Sequence, residues 1–373
     1  MTVDLAHLVS DWDREFESKL PANATMDARR PYNRILEPLY TVMRLRFQPY
    51  QNDSMPLFLE KLAAWVAQFP SGDQPIAFLL ASRIVFVTQH QFESLQRRLF
   101  RAHIQRHLLN SIIMRRSLRA HDYIEARHFL DEEMDATLFV PNSDSSHLNS
   151  FVHVNAEAFR DREARSLVGP EVTFWTYPTL RAAAASADIS AACLTFEQKV
   201  LASDRHVVGK RRLVVLEDFS GTGSDLLGVV DALAASSLPF DEVVIAPAIA
   251  TQHALDSLQA RIRQLAKPGR YVTMAAQVLP HSLRCFDGPG TSYLDTGAPI
   301  PNLSAEVKRL SAEAYSRHFA SLTPPLPPVY QHGYGPLALA FVLFANCPDN
   351  SLPMIWKGCQ TWSPLFRRVS RHL

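Results

Sequence analysis

The sequence predicts an α/β fold, a mostly parallel sheet flanked by helices, preceded by an all-α N-terminal domain. Three observations predict it. Apolar residues recur at helical spacing through the first 130 or so positions. From about residue 136 onward, short apolar runs alternate with helical patterns, the grammar of strands buried on both faces by crossover helices. The length of 373 residues leaves room for two domains, at roughly 100–200 residues each. The expected division is a helical domain over 1–130 and an α/β domain with a C-terminal extension over 131–373.

In the N-terminal part, NDSMPLFLEKLAAWVAQF (52–69) places Leu57, Leu59, Leu62, Trp65, Val66 and Phe69 at roughly helical spacing, with 52–54 suited to capping its start. Ser71-Gly72-Asp73 breaks the chain. PIAFLLASRIVFV (75–87) reads as helix or strand, and 91–114 reads as a helix. Strands are expected at ATLFV (136–140), FWTYP (174–178), RLVVLE (212–217), EVVIAPAIA (242–250) and YVTMAAQVL (271–279). DLLGVVDALAA and HALDSLQARIRQLA supply helices between them. SLTPPLPP (321–328) reads as an extended connector leading to Gly333-Tyr334-Gly335 and a last buried strand over 337–344.

Bulk properties narrow the function classes. A net charge of +1 exerts no global pull on nucleic acid or acidic membrane. Cys193, Cys285, Cys347 and Cys359 lack metal-ligand spacing, so free thiols in a reduced, cytoplasmic protein are expected, with no metal held by the chain itself. The start, MTVDLAHLVSDWDREFE, is too acidic and polar for a signal peptide. The longest apolar stretch (336–348) is shorter than the ~20 residues of a membrane span.

The chemistry concentrates at LVVLEDFSGTGSD (213–225). Ligands of doubly wound sheets sit at the carboxyl ends of strands. Gly221 and Gly223 free backbone N–H groups to turn inward, Ser220, Thr222 and Ser224 add hydroxyls, and the following helix presents its N-terminus: an anion cradle suited to a phosphate monoester. Glu217 and Asp218 stand just before it. Ionised carboxylates only accept hydrogen bonds, so they suit the vicinal hydroxyls of a sugar that carries that phosphate.

Strand, two acids, hydrophobe and a Thr-Gly loop together resemble the phosphoribosyl-pyrophosphate loop of type I phosphoribosyltransferases. The resemblance implies that Glu217 and Asp218 hold the ribose hydroxyls and that Ser220, Gly221, Thr222, Gly223 and Ser224 hold the 5′-phosphate. It also implies a pyrophosphate loop after the strand at 136–140, for which Ser143, Asp144, Ser145 and Ser146 are candidates, and Mg²⁺ accompanying the diphosphate. A mobile catalytic hood would fall between 160 and 210, and no catalytic residue is assignable there. The ordered set of FVPNSDSS, LEDFSGTGSD and the C-terminal GYGPLALAFVLFANCPDNSLPMIWKG resembles a divergent bacterial group of phosphoribosyltransferase-like proteins with an N-terminal helical region. That group is often encoded beside defence genes, retrons among them. Two positions depart from the family pattern: Gly221 stands where a Thr is usual, and Asp225 where a hydroxyl is usual.

The same residues leave other readings open. D-F-x-G-x-G also looks like the first motif of S-adenosylmethionine-dependent methyltransferases, though the next strand ends without the acid that the adenosine ribose needs. A catalytically inactive module that binds a defence-system partner is the second alternative. It draws on the helical region, where residues 83–119 hold eight arginines and a single acid, Glu93. Arg97, Arg98, Arg101 and Arg106 are candidates for contact with nucleic acid or a partner protein; a solvated helix face is the plainer account of them. The expected function is binding of a phosphorylated ribose, as phosphoribosyl pyrophosphate or a nucleotide, with glycosyl transfer if the protein is active.

Overall fold

The computed structural model describes Tyr50 and residues 55–119, 121–142, 147–159, 210–236, 240–286, 292–298, 300–335 and 337–368. The expected strand at 174–178, the hood segment, the capping residues 52–54 and Cys193 lie outside them. Among the described residues there are seven strands: β1 (Val85–Val87), β2 (Thr137–Pro141), β3 (Arg212–Ser220), β4 (Glu242–Thr251), β5 (Tyr271–Thr273), β6 (Gln277–Leu279) and β7 (Phe341–Leu343). The chain divides into two compact units. One joins the residues up to Gln89 to His281–Leu373, and the other is His90–Pro280.

The unit His90–Pro280 holds the main sheet. β2, β3 and β4 pair in parallel, and β5 and β6 both pair in parallel with β4. Val, Leu, Ile and Phe fill these strands because both faces are covered. Leu138, Val140, Leu213, Val215, Val243 and Ile245 face helices Ser224–Ala235 and Gln252–Arg263, burying Leu226, Val230, Leu233 and Leu258 with them. On the opposite face Phe139 meets Phe151 and Phe159 at ring-centroid distances of 6.2 and 5.5 Å, and Phe100 meets the same two at 6.0 and 5.4 Å. Those rings tie the helical segment 89–115 to the sheet. That segment is Gln89–Arg98 and Gln105–Arg115 joined by a π-turn, Leu99–Ile104, where an unbroken α-helix was expected.

The expected strand over 271–279 is two short strands, and Pro247 explains the gap. The Met274 N–H donates to the Ile245 carbonyl at 3.0 Å, so Ile245 faces that edge of β4. Pro247, two residues on, faces the same edge with no N–H to offer. Pairing stops at Ile245↔Thr273 and resumes at Ile249↔Gln277.

At the amino ends of the strands lies a buried charge network. Glu133, 7% exposed, accepts from Arg115, from Arg211 at 2.9 Å and from Arg212 at 3.3 Å. Arg212, itself buried, also pairs with Glu242, which His107 reaches at 2.8 Å. Burial opposes ionisation of Glu242, but the His107 and Arg212 donors outweigh it and hold its carboxyl down at about 2.

The other unit shows why the C-terminal residues lie where they do. PIAFLLASRIVFV is neither all helix nor all strand: helix Gln74–Arg83 is followed by β1. The expected strand at 337–344 is reduced to β7, which pairs in parallel with β1 in a separate two-stranded sheet. Helix Met55–Val66 packs on the C-terminal stretch, where Trp65 and Trp362 both donate their indole N–H to the Met354 carbonyl, at 2.9 and 3.1 Å. The Tyr334 N–H donates to the Asp349 carbonyl at 2.8 Å, and Asn350 returns its amide to the Tyr334 carbonyl at 3.0 Å. Gly333 makes this clasp possible, with φ at +91° and a notional Cβ only 2.3 Å from the Asn350 carbonyl oxygen. Of the four cysteines, Cys285, Cys347 and Cys359 are described and free. Among the described residues no helix is long and apolar enough to cross a membrane.

Gly333→Ala is expected to destabilise the protein by about 2 kcal/mol or more, since neither the φ nor the space admits a side chain; urea unfolding measures it. Glu242 is ionised in the folded state well below its ordinary 4.5, so its stabilisation is present above 4.5 and fades as the pH falls toward about 2. Glu242→Gln is expected to cost about 3 kcal/mol at pH 7 and little at pH 2, read from denaturation midpoints at the two pH values.

Candidate functional site

β3 is longer than its apolar run suggested. It continues through Glu217, Asp218, Phe219 and Ser220, so the acid pair sits inside the strand and the turn itself is only 221–223. Helix Ser224–Ala235 follows at once. Gly223 takes the helix N-cap position at φ +82°, and a Cβ there would stand 3.1 Å from the Ala254 carbonyl oxygen. Glycine is therefore required for the close approach of two backbones, independently of any ligand. Thr251, at the end of β4, fixes the turn: its hydroxyl donates to the Gly221 carbonyl and accepts from the Ala254 N–H at 3.0 Å, capping the next helix. The Thr222 and Ser224 hydroxyls bond each other at 2.8 Å. Ser220, Gly221 and Gly223 are buried, Thr222 is partly buried and Ser224 is exposed. Asp225 is exposed in the first turn of the helix, where a carboxylate complements the dipole.

The acids have protein partners that the motif did not announce. Register places Phe139 beside Val214. Alternation then puts Asp218 on the aromatic face of the sheet, toward helix Leu148–Val154. There, 7% exposed, it accepts twice from His147: the main-chain N–H reaches one oxygen at 2.9 Å and the ring Nδ1 pairs with the other. Asn142, directly after β2 and 3% exposed, donates its amide to Glu217. Glu217 also takes the Asp218 N–H at 3.0 Å. Gln96, 3% exposed, donates to the His147 carbonyl at 3.3 Å and accepts from Ser150 at 2.8 Å. Gln96, Leu99, His147, Phe151, Leu216, Glu217, Asp218 and Ala248 line a narrow cleft.

The electrostatics are opposite to those at the other end of the strand. Burial first, then the neighbouring Asp218 charge and more distantly Asp225, push Glu217 up to about 7, against the hydrogen bonds from Asn142 and the Asp218 N–H. A carboxyl poised near neutrality can accept or hold a proton at physiological pH, or accept hydroxyl hydrogen bonds once ionised.

Of the residues singled out in the sequence, Glu217 and Asp218 are brought together with the turn at Ser220, Gly221, Thr222, Gly223 and Ser224. Ser143, Asp144, Ser145 and Ser146 lie outside the described residues. Arg97 pairs with Glu93 at 3.9 Å and Arg101 with Glu157 at 3.2 Å. Arg98 and Arg106 are exposed and have no carboxylate partner among the described residues. Burial, with Arg98 and Arg106 close by, lowers His103 below the ordinary imidazole range. Sequence reasoning missed Asn142, His147 and Gln96. The available signal was position: Asn142 and His147 follow the carboxyl end of the strand adjacent to β3, where a parallel sheet collects its polar residues. No cluster of three or more metal-ligating side chains occurs among the described residues.

The acid pair and the small-residue turn thus lie at the carboxyl end of an inner strand of a parallel sheet. The family model PRTase-CE matches residues 62–368, and the chain belongs to that phosphoribosyltransferase-like family. Searches of curated proteins and of solved structures each gave no match.

Glu217 keeps its proton to about 7 in the folded state against 4.5 ordinarily, so its contribution is fully present below 4.5 and is lost as the pH rises through 7. Glu217→Gln is therefore expected to be more stable than wild type by up to about 3 kcal/mol at pH 8, with the difference vanishing near pH 4.5. Thermal unfolding across this range is the measurement, and a pH-independent difference contradicts the assignment.

Proposed function

We propose that this PRTase-CE protein binds a phosphorylated ribose, as phosphoribosyl pyrophosphate or a nucleotide. The observation that carries the reading is the contiguity of Glu217 and Asp218 with the turn 221–223 and the first turn of helix Ser224–Ala235, all at one strand end. In this reading the acids accept hydrogen bonds from the sugar hydroxyls. The backbone N–H groups of the turn and the Ser220, Thr222 and Ser224 hydroxyls receive the 5′-phosphate. Mg²⁺ enters only with a diphosphate ligand, since it binds through one or two carboxylates plus substrate phosphates rather than an all-protein cage; Glu217 and Asp218 are suitable donors, and the ion would offset charge on the departing diphosphate. If phosphoribosyl or glycosyl transfer occurs, the chain's own part is to orient the ribose through the acid pair.

A second reading is favoured by a specific observation: both acids are already engaged by Asn142 and His147. A protein of this family that has lost turnover can act as an effector or partner module, in a bacterial defence system by the resemblance above. Arg98 and Arg106 then offer the free positive charge for nucleic acid or a partner protein.

Titration with phosphoribosyl pyrophosphate and Mg²⁺ in a calorimeter is expected to give saturable heat that disappears in a Glu217→Ala/Asp218→Ala double variant. Heat unchanged in that variant removes the acids from the site. No heat in wild type, with nucleic acid or one protein recovered on the purified chain and lost on Arg98→Ala/Arg106→Ala substitution, favours the second reading.

A further inference from the structure

Asp218 is buried, yet the group that covers it is not. The His147 side chain is 27% exposed, and its ring rests edge-on against Phe92 with centroids 5.7 Å apart. The residue contacts Asp218 in two separable ways. Its main-chain N–H, at 2.9 Å from one carboxylate oxygen, is anchored by the Gln96 bond to the His147 carbonyl and by the Ser150 bond to Gln96. Its ring Nδ1 occupies the other oxygen. An ionised carboxylate offers only acceptors, so Nδ1 carries the hydrogen in this bond. The ring N–H is thus chemically equivalent to the O–H of an alcohol placed on the same oxygen. Rotation about the side-chain bonds of a residue at the rim of the cleft releases that oxygen to a ligand while the anchored N–H still aims the carboxylate. Glu217 is partly buried and held by the Asn142 amide and the Asp218 N–H.

We propose that the His147 ring is the resident occupant of the sugar-hydroxyl seat on Asp218, and that a ligand bearing vicinal hydroxyls binds by displacing it. The inference rests on the phosphorylated-ribose reading and adds to it the residue that sets affinity. Its main-chain N–H is a positioning group, and its ring is a competitor. The His147 ring lines the cleft beside both acids, so a sugar seated on Asp218 competes with it for the same place.

Ribose 5-phosphate is titrated calorimetrically into the full-length wild type, His147→Ala and Asp218→Asn. A hydrogen bond to a charged group is worth about tenfold in binding or more, so His147→Ala is expected to bind about tenfold more tightly and Asp218→Asn far more weakly. In parallel, the His147 ring ¹⁵N resonances of wild type, identified by their absence from the His147→Ala spectrum, are expected to move to a solvent-exposed pattern at saturation. Equal or weaker binding by His147→Ala, with Asp218→Asn still impaired, overturns the competitor role and leaves the ribose reading standing. Saturable binding with an unmoved His147 resonance overturns it also, and needs no folded variant once the resonance is assigned. Absence of binding by wild type and His147→Ala alike removes the ribose reading, and this inference with it.

Discussion

The parallel pairing of β3 on both edges, with β2 on one side and β4 on the other, is the constraint on which the rest of this unit depends. A central parallel strand must satisfy every backbone group through its neighbours and bury both faces. That requirement selects Leu213, Val214, Val215 and Leu216, fixes Phe139 beside Val214 and Leu216 beside Ala246, and leaves the polar residues at the strand ends. The acids are carried to the carboxyl end by the same register. The small residues after them are needed because β3 must turn into a helix while passing the backbone at Ala254.

The two ends of β3 show opposite treatments of buried carboxylates. At the amino end Glu133 and Glu242 are surrounded by Arg115, Arg211, Arg212 and His107, and their acidity is strengthened despite burial. At the carboxyl end Glu217 is beside Asp218 with amide and N–H donors only, and its acidity is weakened. An ion-pair network compensated in this way serves the fold. A carboxyl buried without a cation is costly to ionise, and Glu217 accordingly holds its proton to higher pH. The contrast sets the compensated acids, Glu133 on a helix and Glu242 on β4, apart from Glu217 on β3 on physical grounds.

Much of the site was legible because its signals are local. Glu217, Asp218 and the loop 220–224 form one contiguous stretch, and glycine next to hydroxyl residues after an apolar run indicates a strand-to-helix turn. What the stretch does not state is the structural need for Gly223, which its φ and the Ala254 contact show. The aromatic face joining Phe100, Phe139, Phe151 and Phe159 was not legible, since residues on separate elements, Phe100 and Phe159 among them, meet only through packing. Nor was the π-turn at Leu99–Ile104, because helical periodicity over 91–114 tolerates one inserted residue without losing its apolar stripe. The split of β5 from β6 has a readable cause in Pro247, but only once the edge that Pro247 faces is known.

By itself, the sequence determined local properties of this protein: that the runs at 136–140, 212–217 and 242–250 are buried strands, where a glycine turn must fall, and that two carboxylates precede it. These follow from side-chain periodicity and backbone sterics over a few residues, which need no knowledge of distant neighbours. Tertiary structure alone decided what the carboxylates touch. Asn142 and His147 reach them from the segment after the adjacent strand, 75 and 71 residues away along the chain, and Gln96 reaches His147 from 51 residues away. Hydrogen bonds and desolvation act through space at a few ångströms, so partner and charge state are set by the fold that brings those residues together.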